Sequence, residues 1–468
     1  MVLVVIITNC NKQQLVTEEK ANITETVSID LAKIKERGKL IASTSYNSVN
    51  YFMYKGAPMG YQFDMLRLLA SELNVSLEIV VNNDNEDAFR KLNTGEYDLI
   101  ANGLTVTNDR LKSVGFTQPL VKSRQVLVQR LPKKQKGIPK RELHENIITD
   151  AKQLAGKVVY VQQGTVFVDN LKNLSDSLDN PITIIELPEE QEDIIKLIAN
   201  GEINYTVCDE NIGLVNQTYY PNIDVSLPLS AKQNLAWAVR KNSPELLNVI
   251  DKWLTSKQSK YPRAILYKKY FNNKKSKRIV NSDYYTLSSG KISVFDDIIK
   301  IKSELIGWDW RLLASLIYQE SRFNPEAESW MGAYGLMQLM PTTADMYNIT
   351  EESTPEQHIT AGVKYISWID KRLKKAGIGD EERVKFVIAA YNVGLGHVKD
   401  ARKLAVKYGK NPDIWENNVD FFVLNKSKPK YFKDPVVKHG YARGSETYKY
   451  VIEIIDRFEH YKNLAILD

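Results

Sequence analysis

Cysteine is nearly absent from this chain. Its 468 residues hold two, Cys10 and Cys208, too few for a disulfide framework. Long apolar runs are missing as well: none reaches the ~18 residues that a membrane-crossing helix needs. Nor is one charge sign in large excess. The formal net charge is +6, weaker than a dedicated nucleic-acid binder shows and only a mild aid in approaching an anionic polymer. What is present is a globular composition, 43% hydrophobic and 26% charged. The length exceeds one ordinary core, so two or three domains are expected.

The one substantial apolar stretch at the start is short. Val2, Leu3, Val4, Val5, Ile6 and Ile7 lead into Thr8-Asn9-Cys10-Asn11. This resembles the tail of a bacterial lipoprotein signal, in which the cysteine becomes the acylated first residue. It departs from that pattern in two places: Asn9 stands where a small residue usually does, and no Lys or Arg precedes the apolar run. Lipidation at Cys10 is the expectation, with a membrane contact through that anchor. Residues 1–27 then read as leader and polar tether.

From residue 28 to 272, short β runs alternate with amphipathic helices. Lys39–Thr44, Leu77–Val81 and Tyr97–Ala101 read as strands, separated by helical spacing at Phe63, Leu66, Leu69, Ala70 and Leu73 and at Ala88, Phe89 and Leu92. A second set follows with strands at Val158–Gln162, Ile182–Leu187 and Ile203–Cys208, then Asn234–Arg240 as a late strand and Pro244–Leu254 as a helix. The pattern predicts an α/β domain with mostly parallel strands, in two sets and therefore two lobes. Pro132–Leu143, basic and without periodicity, reads as a solvated connector.

Within this region stand Gly95-Glu96-Tyr97-Asp98-Leu99-Ile100, Gly103-Leu104-Thr105-Val106-Thr107 with Arg110 three residues on, and Phe116-Thr117. These resemble the periplasmic substrate-binding proteins of solute-binding family 3. The resemblance implies that Arg110 clamps a ligand carboxylate, a task its guanidinium fork suits, with the Thr105 hydroxyl beside it. In the second lobe Gln163-Gly164-Thr165 follows a strand and opens a helix, whose free N–H groups suit an anion. The same resemblance gives Thr165 and Asp209 to the site, Asp209 for a ligand amino group. Tyr46 and Tyr51 are further candidates for the cleft. Cys208 reads as a small buried hydrophobe. The implied ligand is a small amino acid or a muropeptide-like molecule, and its role is regulatory.

Residues 273–282 lie in a lysine-rich segment, Tyr267–Arg278, that reads as a solvated linker; no nucleic-acid motif accompanies it. From 283 to 468 helical periodicity dominates, predicting a mainly α domain. Leu312, Leu313, Leu316, Ile317 and Glu320 share one helix face. Pro325 cannot continue that helix, so Glu320 sits near its C-terminus. Desolvation and the nearby helix carbonyls both favour the neutral carboxylic acid, which suits a general acid near pH 7. On its own, such a glutamate reads better as a buried ion-pair partner of a neighbour such as Arg322. Further helices are expected at Pro341, Ile359–Leu373, Val384–Tyr391 and onward from an N-cap at Ser445.

The order of motifs is more specific. Glu320-Ser321, Ser329, Gly335-Leu336-Met337-Gln338, Ala390-Tyr391-Asn392 and Glu446-Thr447-Tyr448-Lys449-Tyr450-Val451 resemble the lytic transglycosylases of the lysozyme-like superfamily. The whole chain resembles the membrane-bound lytic murein transglycosylase F type, a two-lobed binding domain joined to a lysozyme-like one. The resemblance implies a lone catalytic acid, Glu320, acting on peptidoglycan glycan strands without cofactor or metal. It places Ser329 near Glu320 or the substrate, and Met337 and Gln338 along the sugar groove. Tyr391 and Tyr450 would hold Glu320 or stack on sugars, Asn392 would bind an acetamido group, and Glu446 would face the cleft. It also implies an envelope location, at the periplasmic face of the outer membrane. Two other readings stay open: a hydrolytic muramidase with water held by Glu328 or Asp345, and a non-catalytic wall-binding receptor.

Overall fold

The computed structural model describes residues 27–132, 147–271 and 290–466. The Cys10 segment, most of the Pro132–Leu143 connector and the 273–282 linker lie outside the described residues.

Residues 39–240 build two large sheets and a separate two-stranded ribbon. Strands β1 (Lys39–Thr44), β2 (Phe52–Tyr54), β3 (Ala57–Met59), β4 (Ser76–Val81), β5 (Leu99–Thr105), β6 (Val114–Phe116) and β7 (Val121–Ser123) come first. They are followed by β8 (Gln125–Arg130), β9 (Val158–Gln162), β10 (Thr183–Leu187), β11 (Tyr205–Asp209), β12 (Ile223–Asp224) and β13 (Gln233–Arg240). One sheet runs β4-β1-β5-β13-β6 with β7 also on β13; the other runs β10-β9-β11-β8-β12. The chain crosses between them twice, at Arg124 between β7 and β8 and again between β12 and β13. These are two lobes joined by two crossings.

The βαβ units pair in parallel: Lys39–Thr44 lies in register with Ser76–Val81, and Thr183–Leu187 with Val158–Gln162. The strands next to the crossings are antiparallel, β13 against β5 and β8 against β11. Their length alone could not reveal that direction. Val, Ile and Leu are frequent in the parallel strands; the central strand β1 is largely buried, while β10, at the edge of its sheet, is largely exposed. Cys208 lies fully buried in β11.

The first residues of the Tyr267–Arg278 segment are helical. Helix Lys257–Phe271 carries Tyr267, Lys268, Lys269 and Tyr270 as its last turns. The Tyr270 hydroxyl donates to Asp64 at 2.7 Å, and Lys269 pairs with the same carboxylate. Lysines that looked like linker are thus partly used to dock this helix on the first lobe.

Beyond residue 290 the described chain is helical. The helix Trp310–Ser321 is capped by Asp309, whose side chain accepts from Arg311 N, and it ends at Arg322 in the left-handed region, φ 52°. It packs along the C-terminal helix Gly444–Lys462, where Ser315 Oγ donates to Ile454 O at 2.7 Å and Gln319 Nε2 to Glu453 at 2.8 Å. Ser445 lies inside the first turn of that last helix rather than capping it, since the helix already begins at Gly444.

The two halves share a seam. Tyr461 Oη donates to Gly56 O at 2.7 Å, Asn463 Nδ2 to Ile79 O at 2.9 Å, and Tyr51 Oη lies 3.0 Å from His460 Nδ1. Gly56 has φ 74°, and a Cβ there would stand 2.7 Å from the rings of Phe323 and Tyr318. Only glycine lets the β2–β3 turn come this close to the helix that ends at Arg322. Tyr46 and Tyr51 are drawn into this packing. Both are buried, stacked edge to face with each other, and Tyr51 turns toward His460. They do not line the cleft between the lobes; a tyrosine's apolar ring and single polar tip suit a seam equally well.

Candidate functional site

Glu320 occupies the penultimate position of its helix, above Leu316 and Ile317, both fully buried. Its carboxyl oxygen Oε1 accepts a short hydrogen bond from the Tyr450 hydroxyl. Burial pushes the Glu320 pKa up to about 7, and the Tyr450 bond opposes that rise. Burial, reinforced by the neighbouring carboxylate, raises Tyr450 and Tyr391 further above the usual phenol range, so both stay neutral donors. No ion pair joins Glu320 to Arg322 among the described residues. The other nearby acids differ in kind: Asp309 caps its own helix and pairs with Arg311, and Glu326, Glu328 and Asp345 are exposed.

The loop after Glu320 is a tight hairpin. Ser329 N donates to Ala333 O at 2.8 Å, and Ser329 Oγ accepts from Ala333 N at 3.0 Å. Ser329 therefore closes its own turn. Gly335, with φ 77°, lets the backbone lie on His358; a Cβ there would come within 2.4 Å of that ring. Met337 is fully buried, with its side chain against Gly362, so it belongs to the core, correcting the expected groove position. What it offers the site is its carbonyl, which accepts from Tyr391 Oη at 2.7 Å. Gln338 adopts φ 45° and spends its amide on Ala327 O and Gly335 O at 2.8 and 3.0 Å, pinning the hairpin rather than reaching outward. Asn392 accepts from the Thr447 hydroxyl at 2.7 Å, keeping its amide nitrogen available. Glu446 is exposed and paired with Arg443 at 3.4 Å on the first helical turn.

The second site lies between the lobes. Thr105, Arg110, Thr165 and Asp209, expected from sequence, all line one cleft of about 70 Å³. Arg110 donates to Thr105 O at 3.1 Å and lies over the Phe89 ring. Thr165 Oγ1 donates to Gln162 O at 2.7 Å. Asp209 ends β11; burial raises its pKa to about 7, against the pull of Arg110. The lobes are latched shut: Ser48 N and Oγ, on the first lobe, both donate to the Glu192 carboxylate on the second.

The sequence reading missed Glu190, which also lines this cleft and accepts from Gln162 Nε2 at 2.8 Å. Burial, with Glu192 and Asp193 nearby, pushes its pKa up to about 8. Its only local signal is the Pro188-Glu189-Glu190-Gln191 run before a helix, which reads as an ordinary N-terminal turn. Among the described residues no group of three or more His, Cys, Asp or Glu side chains is arranged to hold a metal ion, and no helix is long and apolar enough to cross a membrane.

Comparison with known proteins gives the same division. The profile of the bacterial extracellular solute-binding proteins, family 3, matches residues 12–273, and that of the transglycosylase SLT domain matches 297–414. A membrane-bound lytic murein transglycosylase F of Desulfosudis oleivorans is 32% identical over 92% of this chain and 91% of its own length. One from Aeromonas hydrophila is 30% identical over 95% of this chain and 85% of its own. Among solved structures, an ancestral amino-acid-binding protein aligns at 25% identity and TM-score 0.43 over 52% of this chain and 98% of its own. A full-length match at this identity, across both the two-lobed and the helical regions, means that the chain belongs to the membrane-bound lytic murein transglycosylase F family.

Proposed function

We propose that this protein is a peptidoglycan lytic transglycosylase that cleaves the β-1,4 bond between N-acetylmuramic acid and N-acetylglucosamine, with Glu320 as its single acid and base. The observation that carries this reading is a carboxyl group bonded to one phenol and raised by burial to a pKa of about 7, so that a large fraction carries its proton at neutral pH. In the first step the Glu320 proton passes to the glycosidic oxygen as the C1–O bond breaks. Nearby dipoles, and the carboxylate that Glu320 has just become, stabilise the positively charged oxocarbenium-like state. The muramoyl C6 hydroxyl then attacks C1 of its own ring, and its proton returns to the Glu320 carboxylate. A 1,6-anhydro sugar forms, no water is consumed, and the acid is regenerated. An intramolecular nucleophile has a large effective concentration, so a second carboxylate is unnecessary. Glycosidases that hydrolyse this way normally use two, and the exposed Glu328 and Asp345 give no support to that alternative.

Residues 28–272 form the ligand-binding domain, 273–282 the linker and 283–468 the transglycosylase domain in this reading. Arg110 holds a ligand carboxylate and Asp209 an ammonium group, beside Thr105 and Thr165, in a regulatory cleft for a small amino-acid or muropeptide-like ligand. The family belongs to the cell envelope; acylation of Cys10 would place the chain at the periplasmic face of the outer membrane. The test is mass spectrometry of muropeptides released from purified peptidoglycan by the parent and by Glu320→Gln. Anhydro-ended products from the parent alone are expected. Products one water heavier, with reducing ends, would overturn the lyase reading, and equal release by the variant would remove Glu320 from its role.

A further inference from the structure

The cleft between the lobes is lined by three charged side chains: Arg110, Asp209 and Glu190. Arg110 and Asp209 together match an α-carboxylate and an α-ammonium group, which leaves Glu190 over. A carboxylate half-buried in a cleft costs free energy unless it is paired or neutral. Its one polar contact in the structure is the Gln162 amide, and no cation pairs with it among the described residues. The charged groups nearest to it, Glu192 and Asp193, are both acidic. Glu192 is already committed to the latch on Ser48 and to Asn216. Counting charge, one guanidinium and two carboxylates balance a ligand bearing one carboxylate and two cationic groups. The cleft is also small, with room for roughly five to seven waters on the usual measure. A free amino acid matches that size.

We propose that Glu190 is a specificity residue that selects a free amino acid with a cationic side chain, its ammonium or guanidinium group seated between Glu190 and Gln162. This rests on the reading of the cleft as the site in which Arg110 and Asp209 hold an amino acid. Seating a cation there favours the ionised carboxylate. Glu190, pushed up to about 8, and Asp209, up to about 7, therefore give up protons on binding near neutral pH.

The experiment is calorimetric titration of the full chain with two near-isosteric pairs, L-arginine against L-citrulline and L-lysine against L-norleucine. Each pair is tested on the parent, Glu190→Gln and Arg110→Ala, in two buffers of different ionisation heat. The parent should prefer the cationic member of each pair by about tenfold or more and release protons as it binds. Glu190→Gln should still bind, but with the preference and most of the proton release gone. Arg110→Ala should lose all four ligands. Equal binding of charged and neutral members by the parent would overturn the proposal while leaving the cleft reading intact, and so would a preference that survives Glu190→Gln. Binding of all four ligands that is unchanged in Arg110→Ala, or no binding by the parent, would instead overturn the cleft reading and the proposal with it.

Discussion

Two places in this molecule hold carboxyl groups at pKa values far above the ordinary carboxylate range, and they do so in contrasting company. Glu320 has a phenol as its hydrogen-bond partner and no cation; it reaches about 7 because burial outweighs that one bond. Asp209 reaches the same value with Arg110 nearby, and Glu190 goes to about 8 among other acids. In the function proposed above, the first moves a proton and regains it within one cycle, and the second pair changes state when a ligand arrives. An elevated pKa therefore marks a site without naming its use; the neighbouring groups decide between acid catalysis and ion recognition.

The sharpest way to break this contrast is to remove the proton from one side only. Glu320→Gln should lower release of anhydro-ended muropeptides by about 100-fold or more while ligand affinity at the cleft stays within error of the parent; a variant with substantial turnover would dissolve the distinction. The mirror experiment is Arg110→Ala, expected to weaken amino-acid binding by about 100-fold and to leave the pH dependence of Glu320 where it was. A finer probe is Tyr450→Phe. The Tyr450 bond lowers the Glu320 pKa, so its loss raises it. The protonated acid starts the reaction, so activity falls as pH rises through this pKa, and the alkaline limb of the rate profile should move to higher pH in the variant. A limb that moved down would mean that the phenol serves the neutral acid instead.

Smaller effects are expected at the seam between the halves. Tyr461→Phe removes one buried hydrogen bond and should cost about 1 kcal/mol, read as a lower thermal midpoint. His460 is held neutral by burial, with Arg457 and Arg67 nearby, down to about pH 3. An unfolded chain takes up that proton near 6.5. Stability from this group is thus present above 6.5 and is lost as pH falls from there toward 3. His460→Gln should flatten the melting-temperature profile across that window, as followed by circular dichroism.

Much of this was legible in the sequence because it is local. The apolar spacing from Leu312 to Glu320 and the stop at Pro325 give the helix and its exposed end. The parallel strands announce themselves as Val- and Ile-rich runs. Arg110, Asp209 and their threonines follow from short phrases with fixed spacing. What stayed hidden depends on distant partners. Met337 looks like a groove residue until Gly362 is seen beneath it. Gln338 looks free until its amide is found holding Ala327 and Gly335. Tyr51 looks like a cleft aromatic, but His460, more than 400 positions away, claims it. Glu190 differs from any helix-leading glutamate only through the second lobe folding around it.

The C-terminal helix Gly444–Lys462 carries a constraint of its own. Tyr450 and Tyr461 are eleven residues apart, three turns to within about 20°, so they stand on one face roughly 16 Å from each other. One reaches Glu320 and the other reaches Gly56 in the first lobe. Within that interval the helix acts as a ruler: individual side chains can be exchanged, but its length cannot. A single inserted or deleted residue would swing one tyrosine by about 100° relative to the other, leaving either the acid or the seam without its partner.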